Sequence, residues 1–146
     1  FWNDTEPTTS LISLGTEGRV NQSSGTYVAY AWHNVEGFSK FGTYTGSADA
    51  DGPFVYTGFR PRMVFIKKSS GSNDWVVTDT ARNTHNPASK VLRWEDTAAE
   101  TSSNREIDIL SNGFKPRTTN DVYNGNGGTY IYGAWSDVPF KYNNTF

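Results

Sequence analysis

One segment of this chain occurs twice. Residues 25–35 (GTYVAYAWHNV) and 128–138 (GTYIYGAWSDV) are identical at six of eleven aligned positions, and Val28 against Ile131 is a conservative change. The two copies begin 103 residues apart, at Gly25 and Gly128. Solenoid repeats are shorter, at roughly 20–50 residues, whereas this spacing suits a whole domain. The sequence therefore predicts domains in tandem rather than a single unrepeated fold.

The repeat predicts where the domains begin and end. Residues 38–140 are expected to form one complete repeat, residues 1–37 the C-terminal part of a preceding repeat, and residues 141–146 a tail. The similarity continues upstream, where residues 20–24 face residues 123–127, and downstream, where residues 37–40 line up with Phe140 and Lys141 after one inserted residue. We expect packing between repeats, and with it the function, around the seam at residues 35–41.

The composition and the residue pattern favour strands. Aromatic residues make up 15% of the chain, which has 14 Gly and one Met, and no window shows the apolar spacing of a helix. Gly- and Asn-rich turns separate the apolar runs. Strands are expected at residues 26–32, 41–45, 54–57, 60–67, 74–79, 91–94, 105–110, 113–117 and 129–135. The predicted fold is an all-β, two-layer antiparallel β-sandwich, jelly-roll or concanavalin-like, with little or no helix.

The two copies of the repeated segment are apolar on both strand faces. Such a strand is either central in a sandwich or buried at a subunit interface. We therefore expect aromatic residues in and beside these strands to pack between repeats: Tyr27, Tyr30, Trp32, Phe38, Tyr130, Tyr132 and Trp135.

Charge and composition argue against several classes of function. The net charge is −2 with 13 Lys and Arg spread along the chain, which gives no basic patch for nucleic acid. There is no cysteine, so disulfides, zinc–thiolate sites and thiol catalysis are excluded. No run of 18 apolar residues is present to insert into a membrane. We expect no metal and no cofactor.

Catalytic constellations are not evident. The two histidines, His33 and His85, are far apart in sequence, and His33 faces Ser136 in the second copy. Carboxylate pairs such as Asp74 with Asp79 are much better explained by solvated strand or loop charges than by glycosidase chemistry. The expected protein is not an enzyme.

Exposed aromatic rings beside amides or carboxylates could bind sugars. Trp94, next to Glu95 and Asp96, and Tyr123, next to Asn124, fit this description and are candidate glycan-binding residues. Three glycosylation sequons begin at Asn3, Asn21 and Asn143, and they would matter only in a eukaryotic secreted protein.

Three motifs resemble a known repeat family. Residues 37–46 (GFSKFGTYTG), 51–62 (DGPFVYTGFRPR) and 128–132 (GTYIY) are similar to an uncharacterised repeat of tailed bacteriophages, which occurs in tandem in predicted tail-fibre and other virion structural proteins. The resemblance covers nearly the whole chain. It departs at residues 134–137 (AWSD), where Ala-Phe-Ala-Glu is more usual, and the change keeps an aromatic residue on the strand.

The resemblance and the repeat together imply a non-enzymatic structural and display module of a virion appendage or surface, either a tail fibre or a capsid decoration. Its expected location is the virion surface or the extracellular space. Its expected partners are further copies of itself and other virion proteins, without nucleic acid. The alternative is a carbohydrate-binding module that contacts host surface glycans during attachment.

Overall fold

The computed structural model describes residues 3–102 and 104–136. The chain divides into two compact units, Phe1–Trp32 and His33–Phe146, here called the N-terminal and C-terminal units. This division lies just before the predicted start of the complete repeat at residue 38. The predicted end of that repeat at residue 140, the tail at 141–146 and the sequon at Asn143 lie outside the described residues.

The C-terminal unit contains two antiparallel sheets. Its described strands are β1 Ser39–Thr45, β2 Val55–Tyr56, β3 Pro61–Lys68, β4 Trp75–Asp79, β5 Leu92–Arg93, β6 Ile107–Leu110, β7 Gly113–Pro116 and β8 Thr129–Ser136. One sheet has the order β1-β8-β3-β4-β5 and the other β2-β7-β6. The described helices are single turns, α1 Gly18–Asn21 and α2 Asp121–Asn124. The predicted all-β sandwich with little helix is confirmed.

Side chains that point alternately to the two faces of each strand place apolar residues in the core between the two sheets. On β3, Val64 and Ile66 are buried in the core cluster, while Phe65 between them points to the opposite face of the sheet. On β6, Ile107 and Ile109 face inward as the sequence predicts. Phe114 of β7 closes the core from the second sheet. Its ring centroid lies 5.3 Å from that of Tyr132 in an edge-to-face arrangement.

Strand β8 is an interior strand of the larger sheet, next to the edge strand β1. It pairs with β1 on one side and with β3 on the other, so that Gly133 lies between Phe41 and Phe65. Tyr130, Tyr132 and Ala134 are all buried in the core. The prediction of a strand at residues 129–135 that is covered on both faces is therefore confirmed.

The turn α2 is fastened to the sandwich by a buried amide. Asn120 caps the helix by accepting a hydrogen bond from the Val122 amide. The Asn124 side chain is fully buried, accepts a hydrogen bond from the Ser47 amide, and donates to the carbonyl oxygens of Asp49 and Thr118. This one side chain joins the loop after β1 to the segment that leads into β8.

The N-terminal unit has no comparable interior. None of its described residues is buried, and apolar side chains such as Leu11 and Ile12 are exposed. The predicted strand at residues 26–32 is wrong for this chain, because these residues belong to no sheet among the described residues. An apolar pattern can favour a strand, but a strand forms only where a partner satisfies its backbone groups.

The buried amide of Asn124 can be tested against its counterpart in the N-terminal unit. Asn124→Ala is expected to lower the free energy of unfolding by about 2–4 kcal/mol, because it leaves buried backbone groups unsatisfied. Asn21→Ala removes the equivalent but exposed amide and is expected to cost less than about 0.5 kcal/mol. Urea denaturation of both variants measures the difference, and equal costs would contradict this account of the core.

The buried tyrosines predict how stability depends on alkaline pH. Burial raises the pKa of Tyr123 from 10.0 to about 12, and burial together with the neighbouring Tyr130 and Tyr123 raises that of Tyr44. The unfolded chain therefore loses these protons at lower pH than the folded chain does. The contribution of Tyr123 to the free energy of unfolding should stay level below pH 10 and fall as the pH rises from 10 to about 12.

A single substitution isolates the contribution of Tyr123. In Tyr123→Phe the fall above pH 10 should be shallower by on the order of 1.4 kcal/mol per pH unit. Tyr56→Phe removes the hydroxyl of an exposed ring and serves as the control. Denaturant titrations at a series of pH values give the slopes, and parallel curves for the wild type and Tyr123→Phe would refute the assignment.

Candidate functional site

A tyrosine holds the turn before β8 by its hydroxyl group. Tyr130 Oη donates a hydrogen bond to the Asp121 carbonyl oxygen at 2.6 Å and accepts one from the Gly125 amide at 2.7 Å. The Gly128 amide donates to the Gly125 carbonyl oxygen and closes the turn. We call residues 117–130 with these bonds the tyrosine hook. Its effect is to fix where β8 begins relative to α2.

The N-terminal unit contains the same hook 103 residues earlier. Tyr27 Oη donates to the Gly18 carbonyl oxygen at 2.6 Å and accepts from the Gln22 amide at 2.8 Å. The Gly25 amide donates to the Gln22 carbonyl oxygen, as Gly128 does to Gly125. Helix α1 and helix α2 also begin 103 residues apart. The repeat seen in the sequence is therefore also a repeat of local structure.

Two further details agree between the hooks. Asn21 Nδ2 donates to the Gly15 carbonyl oxygen at 2.9 Å, and Asn124 Nδ2 donates to that of Thr118 at 3.0 Å. Ser24 has a φ of 63° and Gly127 a φ of 64°, both in the left-handed region. A serine seldom adopts this conformation, so its presence at Ser24 indicates that the surrounding hydrogen bonds impose the turn.

Beyond the hook the two copies differ in their surroundings. Val28 is 77% exposed and Tyr30 76%, and the Tyr30 ring stacks on Trp32 at a centroid distance of 6.1 Å. Of the predicted packing residues, Tyr27, Tyr30 and Trp32 are exposed and Phe38 and Trp135 half-buried.

Two of the predicted packing residues need correction. Tyr130 and Tyr132 are 0% and 5% exposed, because they pack inside their own sandwich. They are therefore core residues and contact no other repeat. Sequence reasoning identified the strand as buried on both faces but could not decide whether the same domain or a neighbour covers it.

The outer face of the larger sheet has a cluster of aromatic rings. Phe65 lies at its centre, with the ring centroids of its neighbours 5.0–6.4 Å away: Trp94, Trp75, Trp135 and Phe41. Gly133 makes room for two of these rings, since a Cβ at that position would meet Phe41 at 2.7 Å and would also contact Phe65. We call these five residues the outer aromatic cluster. The sequence indicates this cluster only through Phe65, which in a strand must face the opposite side from Val64 and Ile66.

The two predicted glycan-binding residues have different environments. Trp94 is 46% exposed at the edge of the outer aromatic cluster, where its amide donates to the Trp75 carbonyl oxygen. Tyr123 is 1% exposed, and its hydroxyl pairs with that of Thr78 inside the core. Tyr123 as a glycan contact is therefore wrong, because its ring cannot be reached from solvent.

Charged residues lie beside Trp94 in the sequence and pair with one another. Arg93 lies between Asp74 and Asp96, with its Nε 3.0 Å from Asp74 Oδ2 and its Nη1 3.1 Å from Asp96 Oδ2. The first contact is an ion pair without hydrogen-bond alignment, which leaves Arg93 Nε buried and unsatisfied. The Ala98 amide and the Arg93 guanidinium lower the pKa of Asp96. Planar donors and acceptors beside an exposed ring are a chemistry that suits sugar hydroxyls.

The residues considered for catalysis are engaged elsewhere. His33 Nδ1 lies 2.9 Å from the Asn34 carbonyl oxygen, and His85 is in the loop that follows β4. Asp79 forms a salt bridge with Arg82. Within residues 3–102 and 104–136, no three His, Cys, Asp or Glu side chains come together as a possible metal site. No helix in the same residues has the length and hydropathy of a membrane span.

The predicted seam forms a tight turn in front of β1. Val35 bridges to Ser39, and Asn34 Oδ1 accepts a hydrogen bond from the Phe41 amide at 2.7 Å. A groove of about 330 Å³ lies beside this turn, lined by residues 34–37, 39–40 and 56–58 of the C-terminal unit. The turn therefore covers part of the outer edge of β1.

The comparisons with known proteins give a family and nothing more specific. A family model described as a domain of unknown function (DUF7483) matches residues 1–139 and so includes both tyrosine hooks. No curated protein and no solved structure matches the chain. The match covers nearly the whole sequence, and the chain belongs to the DUF7483 family.

Proposed function

We propose that this chain is a non-enzymatic structural and display module of a virion appendage or surface, which works in tandem copies. The observation that carries the proposal is the tyrosine hook present in both units at the same 103-residue spacing. A duplicated hook in a unit with no buried residue among residues 3–32 supports a module that is completed by neighbouring domains.

The exposed surface of the N-terminal unit supports an assembly role. Val28 and Tyr30 are large apolar side chains that lie mostly in solvent, and Leu11 and Ile12 are also exposed. Soluble monomers seldom keep contiguous apolar surface of this kind without a partner. The partners proposed are further copies of the chain and other virion proteins, and the proposed location is the virion surface or the extracellular space.

The bacteriophage context of the proposal comes from the motifs at residues 37–46, 51–62 and 128–132. All three motifs contribute residues to the strands of the sandwich. The first runs through β1, the second through β2 into β3, and the third into β8. A repeat family whose motifs lie in paired strands is typical of a structural role. Residues of the first two motifs also line the groove beside the turn in front of β1.

The alternative is a carbohydrate-binding module, which Trp94 favours. Its half-exposed ring, the adjacent Arg93 and Asp96, and the rest of the outer aromatic cluster could bind a sugar by stacking and by hydrogen bonds. A host surface glycan would be the ligand. Display and glycan binding are compatible, since a fibre module can do both.

The assembly role predicts self-association. We expect light scattering after size-exclusion chromatography to give a mass above that of one chain. Tyr30→Lys should shift the population towards monomer, because it places a charge on the exposed apolar segment. Tyr56→Lys changes a tyrosine of similar exposure in the C-terminal unit and should leave the mass unchanged. A stable monomer for the wild-type chain at high concentration would overturn the assembly role.

The glycan alternative predicts a specific loss of binding. On an array of bacterial surface glycans, Trp94→Ala should weaken any binding by about tenfold or more, through loss of a stacking ring. Leu92→Ala, at a half-exposed residue of the edge strand β5 that Trp94 directly follows, is the matched control. Absence of binding, or binding that Trp94→Ala leaves intact, would remove the alternative.

A further inference from the structure

We infer that residues 26–32 are the counterpart of β8 in a preceding copy of this domain, where they fill the space between that copy's equivalents of β1 and β3. The inference rests on the tandem organisation proposed above and deepens it, because it names the interaction surface and its partner. The partner is another copy of the same fold with a different set of side chains.

The order of elements supports the assignment. At the 103-residue spacing, residues 10–13 correspond to β7 (Gly113–Pro116), α1 corresponds to α2, and residues 26–32 correspond to Thr129–Trp135 within β8. Leu11 thereby takes the place of Phe114, which is fully buried in the core of the C-terminal unit. The N-terminal unit thus has, in the correct order, segments at the positions of the last elements of the fold, of which α1 is formed.

The surface of the N-terminal unit supports it independently. An apolar groove of about 380 Å³ is lined in part by Val20, Tyr27 and Ala29. Their counterparts are Tyr123, Tyr130 and Tyr132, all of them core residues. Val28 and Tyr30 line the same groove, and their counterparts Ile131 and Gly133 lie on the other face of β8, so residues from both faces of the segment contribute to this apolar surface. Its natural cover is the rest of a complete domain.

The pairing pattern of β8 identifies the strands that residues 26–32 need. In the C-terminal unit β8 is bonded on both sides, to β1 and to β3, over nearly its whole length. Residues 26–32 are likewise apolar on both faces and match β1 in length, at seven residues. Two flanking strands would satisfy the backbone and cover Val28 and Tyr30 at once.

Side-chain sizes show that the preceding copy is not identical to this one. Tyr30 stands in the place of Gly133, where the rings of Phe41 and Phe65 leave no room even for a Cβ. Ala29 stands in the place of Tyr132 and leaves a gap on the core side. The preceding copy therefore needs smaller side chains at its equivalents of Phe41 and Phe65. This mismatch also disfavours insertion of residues 26–32 into the C-terminal unit.

A two-copy chain tests the inference while keeping residues 1–146 intact. Residues 38–103 are added in front of Phe1, which keeps the 103-residue spacing because Phe1 then follows at the position of Asn104. In the added copy, Phe41→Ala and Phe65→Ala make room for Tyr30, and each alanine is also tested alone because both together could weaken the added copy.

Engineered cysteines report the pairing, since the chain has none of its own. Thr43 pairs with Ile131 across β1 and β8, so Val28→Cys is combined with Thr43→Cys in the added copy. We expect a disulfide that forms about tenfold faster or more than in the control with Tyr44→Cys, which points to the other face. Retaining Phe41 and Phe65 in the added copy should suppress it.

The outcomes separate this inference from the proposed function. Thr43→Cys with Ile131→Cys within the C-terminal unit is the positive control for the chemistry. If that pair forms and no alanine version of the added copy links to Val28→Cys, or if Tyr44→Cys links equally well, the inference is overturned. A specific link in a protein that stays monomeric by light scattering would uphold the strand assignment and reject the assembly role.

Discussion

The pairing of β8 with both β1 and β3 is the interaction on which the rest of this fold depends. This strand joins the first and third strands of the larger sheet, supplies Tyr130 and Tyr132 to the core, and leaves Gly133 beneath the outer aromatic cluster. Removal of β8 would separate β1 from the sheet and open the core from one side. A second segment with the same sequence pattern has the same requirement for two neighbours.

The tyrosine hook explains why the turn before the second segment keeps its local form although, among the described residues, no strand pairs with that segment. Its hydrogen bonds link Gly18, Gln22 and Tyr27, which are close in sequence, so no sheet is needed to form them. In the C-terminal unit the same bonds are buried, and burial raises the pKa of Tyr130. The hook fixes where the strand begins, and the sheet stabilises the strand. The turn therefore depends on local hydrogen bonds, whereas the strand depends on neighbouring strands.

Much of the architecture could be predicted from the sequence, for a physical reason. Buried Ile107 and Ile109 alternate with polar residues, and β8 is apolar on both faces. Both patterns arise because the side chains are buried inside a single domain. Residues 26–32 failed as a predicted strand because strand formation also depends on groups outside the segment. Tyr123 failed as a surface residue because the single turn of α2 directs its ring inward. The presence of Asn124 beside Tyr123 in the sequence does not show whether the Tyr123 ring points into the core or into solvent.

Hydrogen exchange at single amides tests the central claim most directly. In the two-copy chain with alanine at the added equivalents of Phe41 and Phe65, the account predicts that the amides of Val28 and Tyr30 become protected along with those of Ile131 and Gly133. Exchange of Val28 and Tyr30 at the rate of an unstructured chain, while β8 stays protected, would contradict it. That result would leave the duplicated hook as a local motif with no missing sheet to complete.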